Sequence, residues 1–239
     1  MHTLKNAQIK NEYLGRDLEA MSFAKNYYHW IIDELKSYIG KNVAEVGAGS
    51  GNLTELVMEH VDYLVAFEPS GNMCSLLKKR FELNQKIKII NGMFDGNSKE
   101  FDSYFDSIIY ANVLEHVESD KKELLIVHQK LVDGGHALIF VPALSLLYSD
   151  FDKKIGHYRR YCKQDFERLA ASIGFKIKKI KYIDFVGIIP WYIFFVLLKN
   201  QLTTKKVLLY DKLIIPTMQK IEKVILPPAG KNLLVVMQK

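Results

Sequence analysis

The sequence has very little of what marks secreted, disulfide-rich or multidomain proteins. Only two of its 239 residues are cysteine, and Cys74 and Cys162 lie far apart in no CxxC pair, so we predict neither a disulfide framework nor a zinc site. The chain has six prolines, no Pro-rich or Gly/Ser-rich linker and no internal repeat. Residues 1–21 lack the apolar run of a secretory signal. We therefore expect a single cytoplasmic domain covering residues 1–239.

The chain also lacks a concentrated run of positive charge, although 33 basic and 27 acidic residues give a net charge of +6. The densest run, KIKKIK at residues 176–181, alternates lysine with Ile177 and Ile180, as in a strand with one solvated face. A surface that follows a phosphate backbone needs a denser patch than this. We therefore expect no nucleic-acid partner.

Short apolar runs alternate with segments of helical periodicity. The runs predict strands at 42–46, 63–67, 86–90, 105–110 and 136–141, and the periodic segments predict helices at 17–39, 52–61, 72–83 and from 120 to the DGG stop at 133–135. Later segments predict a helix at 165–173, a strand at 175–183 and a terminal strand at 232–237 that returns antiparallel beside the fifth strand. This rhythm favours an α/β fold with a doubly wound, Rossmann-like, largely parallel sheet.

A glycine-rich turn follows the first predicted strand, where open α/β sheets bind nucleotides. Its sequence, EVGAGSG, supplies Gly47, Gly49 and Gly51, which let the backbone approach a ligand closely. The dinucleotide pattern GxGxxG would need glycine at Asn52, so pyrophosphate binding is not favoured. Glu45 lies just before the turn and suits the cationic amino group of a methionine moiety. The charge favours a zwitterionic sulfonium ligand.

A second acidic residue ends the second predicted strand. Glu68 follows Gly47 by 21 residues, a position from which a carboxylate can accept both hydroxyls of an adenosine ribose. The alternative is a solvent-exposed acid at the end of a strand. Because the glycine turn and the acid occur in register on consecutive βα units, we assign Glu68 the ribose role.

These motifs resemble the class I S-adenosylmethionine-dependent methyltransferases. EVGAGSG, the FEPS strand end and YANVLEH at 110–116 carry the resemblance over roughly residues 20–141. LYSDFDKKIGHYRRY at 147–161, PW at 190–191 and the LPPAGKNLLVVMQK ending are similar to a methyltransferase type 11/12-like subgroup often associated with glycan or lipid-linked sugar pathways. With these segments the resemblance spans nearly the whole chain.

The resemblance implies a seven-stranded sheet with an antiparallel last strand and S-adenosylmethionine as cofactor. It divides the domain into a helical cap at 1–40, a cofactor-binding core at 41–141 and acceptor-side elements at 142–239. Many relatives have an aspartate near the adenine amine where this chain has Met93, so Met93 or Asp95 is expected at the adenine. Asn112, at the end of the fourth strand, is expected beside the cofactor sulfur.

Methyl transfer from a sulfonium is an in-line displacement that needs alignment and, for some acceptors, removal of a proton. No metal ligand set is evident, so we predict no metal. His116, just beyond the fourth strand, and His157 are candidate general bases, because imidazole titrates near neutral pH. The alternative for His116 is that it only shapes the first turn of the next helix.

The segment HYRRY concentrates functional side chains. Tyr158, Arg159, Arg160 and Tyr161 suit a phosphate or carboxylate on the acceptor, because guanidinium groups bind such anions through paired hydrogen bonds. The alternative is that Asp150 and Asp152 pair with the arginines and order the loop.

Residues 185–198 contain no charged residue and include Pro190 and Trp191. This run is shorter than the roughly 18 to 20 residues needed to span a bilayer. We expect a lid over a hydrophobic acceptor pocket, with Trp191 contacting the acceptor and Pro190 dividing the segment into two short arms. The alternatives are peripheral contact with a membrane, aided by nearby lysines, and a homodimer face. The chain is accordingly expected to be a monomer or a homodimer.

The combined pattern predicts transfer of a methyl group to an oxygen or nitrogen of a small-molecule, sugar or lipid-linked acceptor. One alternative is an NAD-dependent oxidoreductase on the same fold, against which the missing GxGxxG and Glu45 both count. Another is a non-catalytic module that keeps the nucleotide pocket and tethers a partner at a membrane. Turnover separates this last class from the first.

Overall fold

The computed structural model describes residues 21–96, 99–200 and 202–239. The helix predicted over 17–39 is interrupted at residues 22–24: α1 runs over Lys25–Leu35 and a 3₁₀ turn follows at Lys36–Tyr38, while residues 17–20 lie outside the described part. A residue far along the chain stabilises the first turn of α1. The Asp211 carboxylate accepts hydrogen bonds from the backbone N–H groups of Asn26 and Tyr27 at 3.0 and 2.9 Å.

A seven-stranded sheet formed by the described residues organises the fold. Its strands are β1 (Asn42–Val46), β2 (Tyr63–Phe67), β3 (Ile87–Ile90), β4 (Phe105–Ala111), β5 (Leu131–Pro142), β6 (Lys176–Ile183) and β7 (Asn232–Gln238). The strand order is β3-β2-β1-β4-β5-β7-β6. Strands β1 to β5 pair in parallel, whereas β7 lies antiparallel between β5 and β6. The predicted fold and its antiparallel last strand are confirmed.

Helices cover both faces of the sheet, as alternation of buried side chains along the strands requires. The further helices are α2 (Asn52–Val57), α3 (Gly71–Arg80), α4 (Asp120–Lys130), α5 (Asp150–Lys154), α6 (Lys163–Ile173), α7 (Ile188–Trp191), α8 (Thr204–Leu213) and α9 (Ile215–Glu222). One core includes Ala44 of β1 with apolar residues of α4 and α6. The other includes Val43 with residues of α1, α2 and α8.

The fourth predicted helix ends earlier than expected. α4 stops at Lys130 because Leu131 already pairs with Phe105 as the first residue of β5, and the register then shifts at a bulge. Leu131 is fully buried, so pairing with β4 outweighs another helical turn. The DGG sequence therefore lies within the irregular start of a strand, with Gly134 at φ 81°.

Pro190 does not divide the apolar segment into two arms. It lies in the first turn of α7, where a backbone N–H has no intrahelical partner to lose, and the helix continues directly as a π turn over Tyr192–Leu197. Phe195 is buried, stacked on Trp191 with ring centroids 4.3 Å apart. Phe194 is 40% exposed. In the described ranges, no helix combines the length and apolarity needed to cross a membrane.

Candidate active site

The glycine turn joins β1 to α2 at the edge of the sheet where the parallel strands end. Gly47 has φ 71°, and an added Cβ there would lie 2.5 Å from a methyl carbon of Val113. Gly49 has φ 57° with open space around its missing Cβ. The left-handed backbone favours glycine at both positions. The open space at Gly49 leaves the turn accessible to a ligand.

Glu68, the residue after β2, closes this turn from the neighbouring strand. One carboxylate oxygen accepts the Gly49 N–H and the other accepts the Ser70 N–H, each at 2.8 Å. The residue is only 5% exposed. A carboxylate has about four lone-pair sites, so each oxygen retains acceptor capacity for a further donor such as a ribose hydroxyl.

Glu45 is buried under the turn without a counter-charge. It is 3% exposed, and its Oε2 has no hydrogen-bond partner among the described residues. Burial, with a smaller contribution from the nearby Glu68 carboxylate, raises the pKa of Glu45 to about 8. A cation bound at the turn would stabilise the ionised form of Glu45, since an opposite charge favours ionisation.

The segment after β3 borders the same edge. The Asn91 amide donates a hydrogen bond to the Glu68 carbonyl at 2.8 Å, which fastens this segment to the end of β2. Phe94 is buried, whereas Met93 is 65% exposed and Asp95 is also exposed. The two residues predicted at the adenine therefore lie on the accessible side of an anchored turn, and their adenine role stays a prediction.

Asn112, the residue directly after β4, has a left-handed backbone conformation. Its φ is 56°, unusual for a residue other than glycine, and its N–H donates to the Phe140 carbonyl at 2.7 Å. The buried Tyr27 side chain of α1 lies beside it, and burial raises the pKa of Tyr27 well above its ordinary value. Backbone strain of this kind is found at functional sites when the surroundings hold it in place.

Beyond Asn112, the 3₁₀ turn Leu114–His116 meets the HYRRY loop. His157 Nδ1 lies 2.9 Å from Asp152 Oδ1, and its Nε2 lies 3.7 Å from Glu115 Oε1. The ring centroids of His116 and His157 are 4.6 Å apart. If Asp152 accepts the Nδ1 proton of neutral His157, the unprotonated Nε2 faces Glu115 and can take up a proton.

Glu115 is the buried acid of this cluster. It is fully buried, and neither carboxylate oxygen has a hydrogen-bond partner among the described residues. Burial raises the pKa of Glu115 to about 8, although the Arg160 charge opposes the shift. Glu115, His116 and His157 each offer one ligand atom within 4.8 Å of the others, so they are also the described group that could hold a metal ion. The sequence analysis predicted no metal because no ligand set was evident in the sequence. Glu115 and His116 are adjacent along the chain, and only the fold brings His157 to them.

For Arg160, the structure contains the loop-ordering ion pair that was the alternative in the sequence analysis. Its side chain is 1% exposed and its Nε and Nη2 donate to the two oxygens of Asp152 at 3.0 and 3.2 Å. The guanidinium also lies 4.6 Å from the Trp191 ring centroid. Asp150 pairs with Lys199 instead of an arginine. Arg160 thus holds Asp152, which in turn orients His157.

The other residues of HYRRY differ in how exposed their side chains are. Arg159 is 30% exposed at its side chain and pairs with Asp120 at 2.9 Å. Tyr161 is 1% exposed, with its hydroxyl 3.2 Å from Asp120, whereas Tyr158 is 54% exposed. Arg159, Arg160 and Tyr161 line a groove of about 480 Å³ between α4 and α6. Anion recognition by this groove stays a prediction.

Comparisons with known proteins agree with this geometry. A family model described as a methyltransferase domain matches residues 21–180. The chain belongs to this methyltransferase family. An uncharacterized methyltransferase of Bacillus mycoides (strain KBAB4) is 25% identical over 142 residues, which cover 59% of this chain and 65% of that relative. One from Geobacillus sp. (strain WCH70) is 27% identical over 164 residues, covering 67% of this chain and 72% of the relative.

Solved structures share the fold of this methyltransferase. A SAM dependent methyltransferase from Archaeoglobus fulgidus has a TM-score of 0.62 at 15% identity and covers 93% of this chain and 99% of its own. An S-adenosylmethionine dependent methyltransferase from Mesorhizobium loti has a TM-score of 0.61 at 14% identity, with 94% and 100% covered. At such identities the likeness concerns the fold alone.

Sequence reasoning missed a second polar cluster in this methyltransferase, at the ends of β6 and β7. Asp184, fully buried with φ 64°, is 2.7 Å from the Lys231 ammonium and accepts a hydrogen bond from the Tyr210 hydroxyl. The Lys231 ammonium also lies 5.7 Å from the Trp191 ring centroid and 5.9 Å from that of Tyr27. No motif links these residues in sequence. The antiparallel pairing of β6 with β7 brings Lys231 to Asp184, and α8 supplies Tyr210.

Proposed function

We propose that this methyltransferase transfers a methyl group from S-adenosylmethionine to an oxygen or nitrogen of an acceptor. The observation that carries the proposal is the glycine turn with its two acids. Glu68 accepts the N–H of Gly49, whose surroundings are open, and Glu45 is buried below the turn without a cation among the described residues. The cofactor carries a cationic amino group for Glu45 and ribose hydroxyls for Glu68. Its methionine half then lies along the glycine turn, with Asn112 near the sulfur.

In the proposed reaction an acceptor lone pair attacks the methyl carbon, and the carbon–sulfur bond breaks as its electron pair moves to sulfur. S-adenosylhomocysteine leaves, and the acceptor keeps the methyl group. The acceptor proton passes to Nε2 of His157, which Asp152 orients through Nδ1. His116, whose ring contacts His157, is the second candidate for this step.

The surroundings favour an acceptor that carries both an anionic group and a hydrophobic part, as a lipid-linked sugar does. Arg159 and Tyr158 supply a cation and an exposed aromatic ring near His157. Trp191, through Arg160, connects this loop to the apolar residues of α7. A small polar acceptor would make no use of those apolar residues. Peripheral association with a membrane would follow from a lipid-linked acceptor.

A nicotinamide oxidoreductase fits the site less well. A pyrophosphate would bring no positive charge to the buried Glu45, whereas the amino group of a methionine moiety would, and Asn52 stands where GxGxxG requires glycine. A non-catalytic module would keep the turn but would have no use for the oriented pair of Asp152 and His157.

The test is transfer of label from methyl-labelled S-adenosylmethionine into separated polar and lipid fractions of candidate acceptors. We expect label in an acceptor fraction with an equal amount of S-adenosylhomocysteine formed, and a thermal shift with S-adenosylhomocysteine but not with NAD. Binding of S-adenosylhomocysteine without any transfer to either fraction would favour the non-catalytic module. A thermal shift with NAD alone would contradict the cofactor assignment.

A further inference from the structure

Helix α8 presents apolar side chains to the outside and keeps its acid inside. Val207 and Asp211 are buried, whereas Leu208, Leu209 and Leu213 are 44%, 63% and 58% exposed. The same exposed arc carries Lys205, Lys206 and Lys212. A surface helix of a soluble protein normally turns its apolar stripe to the core. Three exposed leucines interleaved with three lysines therefore call for a partner.

The neighbouring helix continues this surface. The α7 segment comprises α7, the π turn that follows it and Leu198 (residues 188–198). Its residues Ile189, Leu197 and Leu198 are 67%, 59% and 59% exposed. The Lys206 ammonium lies 5.1 Å from the Phe194 ring centroid, which joins α8 to this segment. We call the combined surface the basic apolar face. It consists of Ile189, Ile193, Phe194, Leu197, Leu198, Lys199, Lys205, Lys206, Leu208, Leu209, Lys212 and Leu213.

The segment that forms most of this face keeps its own acids inside the fold. Residues 185–226 contain two acids, Asp211 and Glu222, and both are buried. Asp211 holds the first turn of α1, and Glu222 accepts the backbone N–H groups of Asp184 and Phe185 at 3.2 and 2.9 Å. Both acids are therefore used inside the fold.

The lysines of the face are largely without acidic partners. Within the described residues, Lys205, Lys206 and Lys212 make no ion pair, and Lys199 alone of the four pairs, with Asp150 at 3.1 Å. The face thus offers exposed apolar side chains and at least three uncompensated positive charges together.

We propose that the basic apolar face docks this methyltransferase onto an anionic lipid surface. Exposed leucine and isoleucine side chains can enter the boundary between headgroups and acyl chains, while lysines beside them meet lipid phosphates. A second copy of the chain fits less well, because a two-fold interface would set the lysines of one face against those of the other. The charge pattern therefore selects lipid over self-association.

The docked orientation brings the site close to the lipid. Phe195 and Trp191 lie on the inner side of the α7 segment, and Trp191 contacts Arg160, which holds the loop of His157. To the membrane association expected for a lipid-linked acceptor, this inference adds the docking surface and the charge of the lipid. It does not depend on the proposed function, because lipid docking can be measured without cofactor or acceptor.

The experiment is co-sedimentation of the full chain with vesicles of phosphatidylcholine alone and of phosphatidylcholine with phosphatidylglycerol. We expect binding to the anionic vesicles only, weakening as salt rises. The double variant Lys205→Glu/Lys206→Glu should lower the partition coefficient by about 30-fold or more, from about 1 kcal/mol for each lysine near the surface. Leu209→Ser/Leu213→Ser should weaken binding that remains at high salt.

The matched control is Lys176→Glu/Lys178→Glu, which makes the same charge change on exposed residues at the opposite end of β6. It should bind anionic vesicles nearly as well as the wild type. Equal losses in both double variants would mean that net charge alone drives binding and would overturn the proposal. So would a lack of binding at low salt, or a dimer in light scattering that Leu209→Ser/Leu213→Ser dissociates.

Discussion

The glycine turn with Glu45 and Glu68, the proposed cofactor side of the site, differs from the HYRRY loop with Asp184, the proposed acceptor side, in how buried acids are paired. On the cofactor side Glu45 and Glu68 are buried, and among the described residues neither makes an ion pair. On the acceptor side Asp152 pairs with Arg160, and Asp184 pairs with Lys231. The cofactor side is thus short of a positive charge that a ligand can supply, whereas the paired charges of the acceptor side hold structure together.

Glu115 is the exception on the acceptor side. It is buried like Asp152, but its carboxylate has no hydrogen-bond partner in the part of the chain that the structure describes, and burial raises the pKa of its carboxyl to about 8. Glu115 lies beside His116 and His157. Like Glu45 on the cofactor side, it is a buried acid whose hydrogen bonds are unsatisfied among the described residues. We therefore expect binding or catalysis at Glu115 and structural effects at Arg160.

The largest expected effect tests whether the acceptor side has a rigid interior. Phe195→Asp buries an unpaired charge between Trp191 and Phe151, so we expect it to unfold the protein or destabilise it by at least about 4 kcal/mol. Phe194→Asp is the matched control, because Phe194 is 40% exposed and its variant should stay folded. Circular dichroism and thermal unfolding distinguish the two. Similar melting temperatures for both variants would contradict the described packing.

Arg160→Ala sharpens the contrast between structural and ligand-binding charges. It leaves Asp152 buried without its cation, and loss of one partner of a buried pair costs about 3–5 kcal/mol. Arg159→Ala breaks a more exposed pair with Asp120 and should cost about 1 kcal/mol or less. Denaturant unfolding measures both. If Arg160→Ala left stability unchanged and raised only the acceptor KM, the arginine would bind an anion instead.

His157→Gln should separate the two sides by function. We expect about a 100-fold lower kcat, because a general base typically contributes 10²–10⁴-fold, with little change in affinity for S-adenosylhomocysteine. His128→Gln is the control, since that ring packs on Phe175 away from the site. Steady-state kinetics and calorimetry provide the readouts. Equal kcat in both variants would exclude His157 as the base.

The smallest expected effect concerns pH and the unpaired acid of the cofactor side. Folded Glu45 has a pKa of about 8 against an ordinary value of 4.5, so between these pH values the folded protein holds a proton that the unfolded chain has lost. Stability should therefore fall as pH rises through this window. Glu45→Gln should reduce that fall by at least about 1 kcal/mol in thermal unfolding at pH 5 and 8. An unchanged pH dependence would contradict the burial of an uncompensated carboxyl.

The cofactor side could be predicted from sequence because its parts are close along the chain. Gly49 and Glu68 are 19 residues apart and occupy the ends of consecutive βα units, so periodicity and turn residues suffice to bring them together. The alternation of strands and helices gave the sheet for the same reason. The carboxyl ends of parallel strands lie at the same edge of the sheet, independently of how the rest of the chain folds.

The acceptor side could not be predicted in the same way. Asn26 and Asp211 are 185 residues apart, and Lys231 reaches Asp184 only because β7 inserts between β5 and β6. Helix α8 carries little apolar periodicity, and no helix was predicted at α8 or α9. The loop alternative for Arg160 and Asp152 could be named from sequence, but the depth of burial that decides its energetic weight could not.

The measurement that tests the central claim most directly is a calorimetric titration of S-adenosylhomocysteine into the wild type, Glu68→Ala and the exposed control Glu59→Ala. The claim is that the cofactor binds along the glycine turn with its ribose on Glu68. We predict that Glu68→Ala weakens binding by about 10- to 100-fold, as loss of charge-assisted hydrogen bonds implies, and that Glu59→Ala leaves the Kd unchanged. An unchanged Kd in a folded Glu68→Ala variant would contradict the claim.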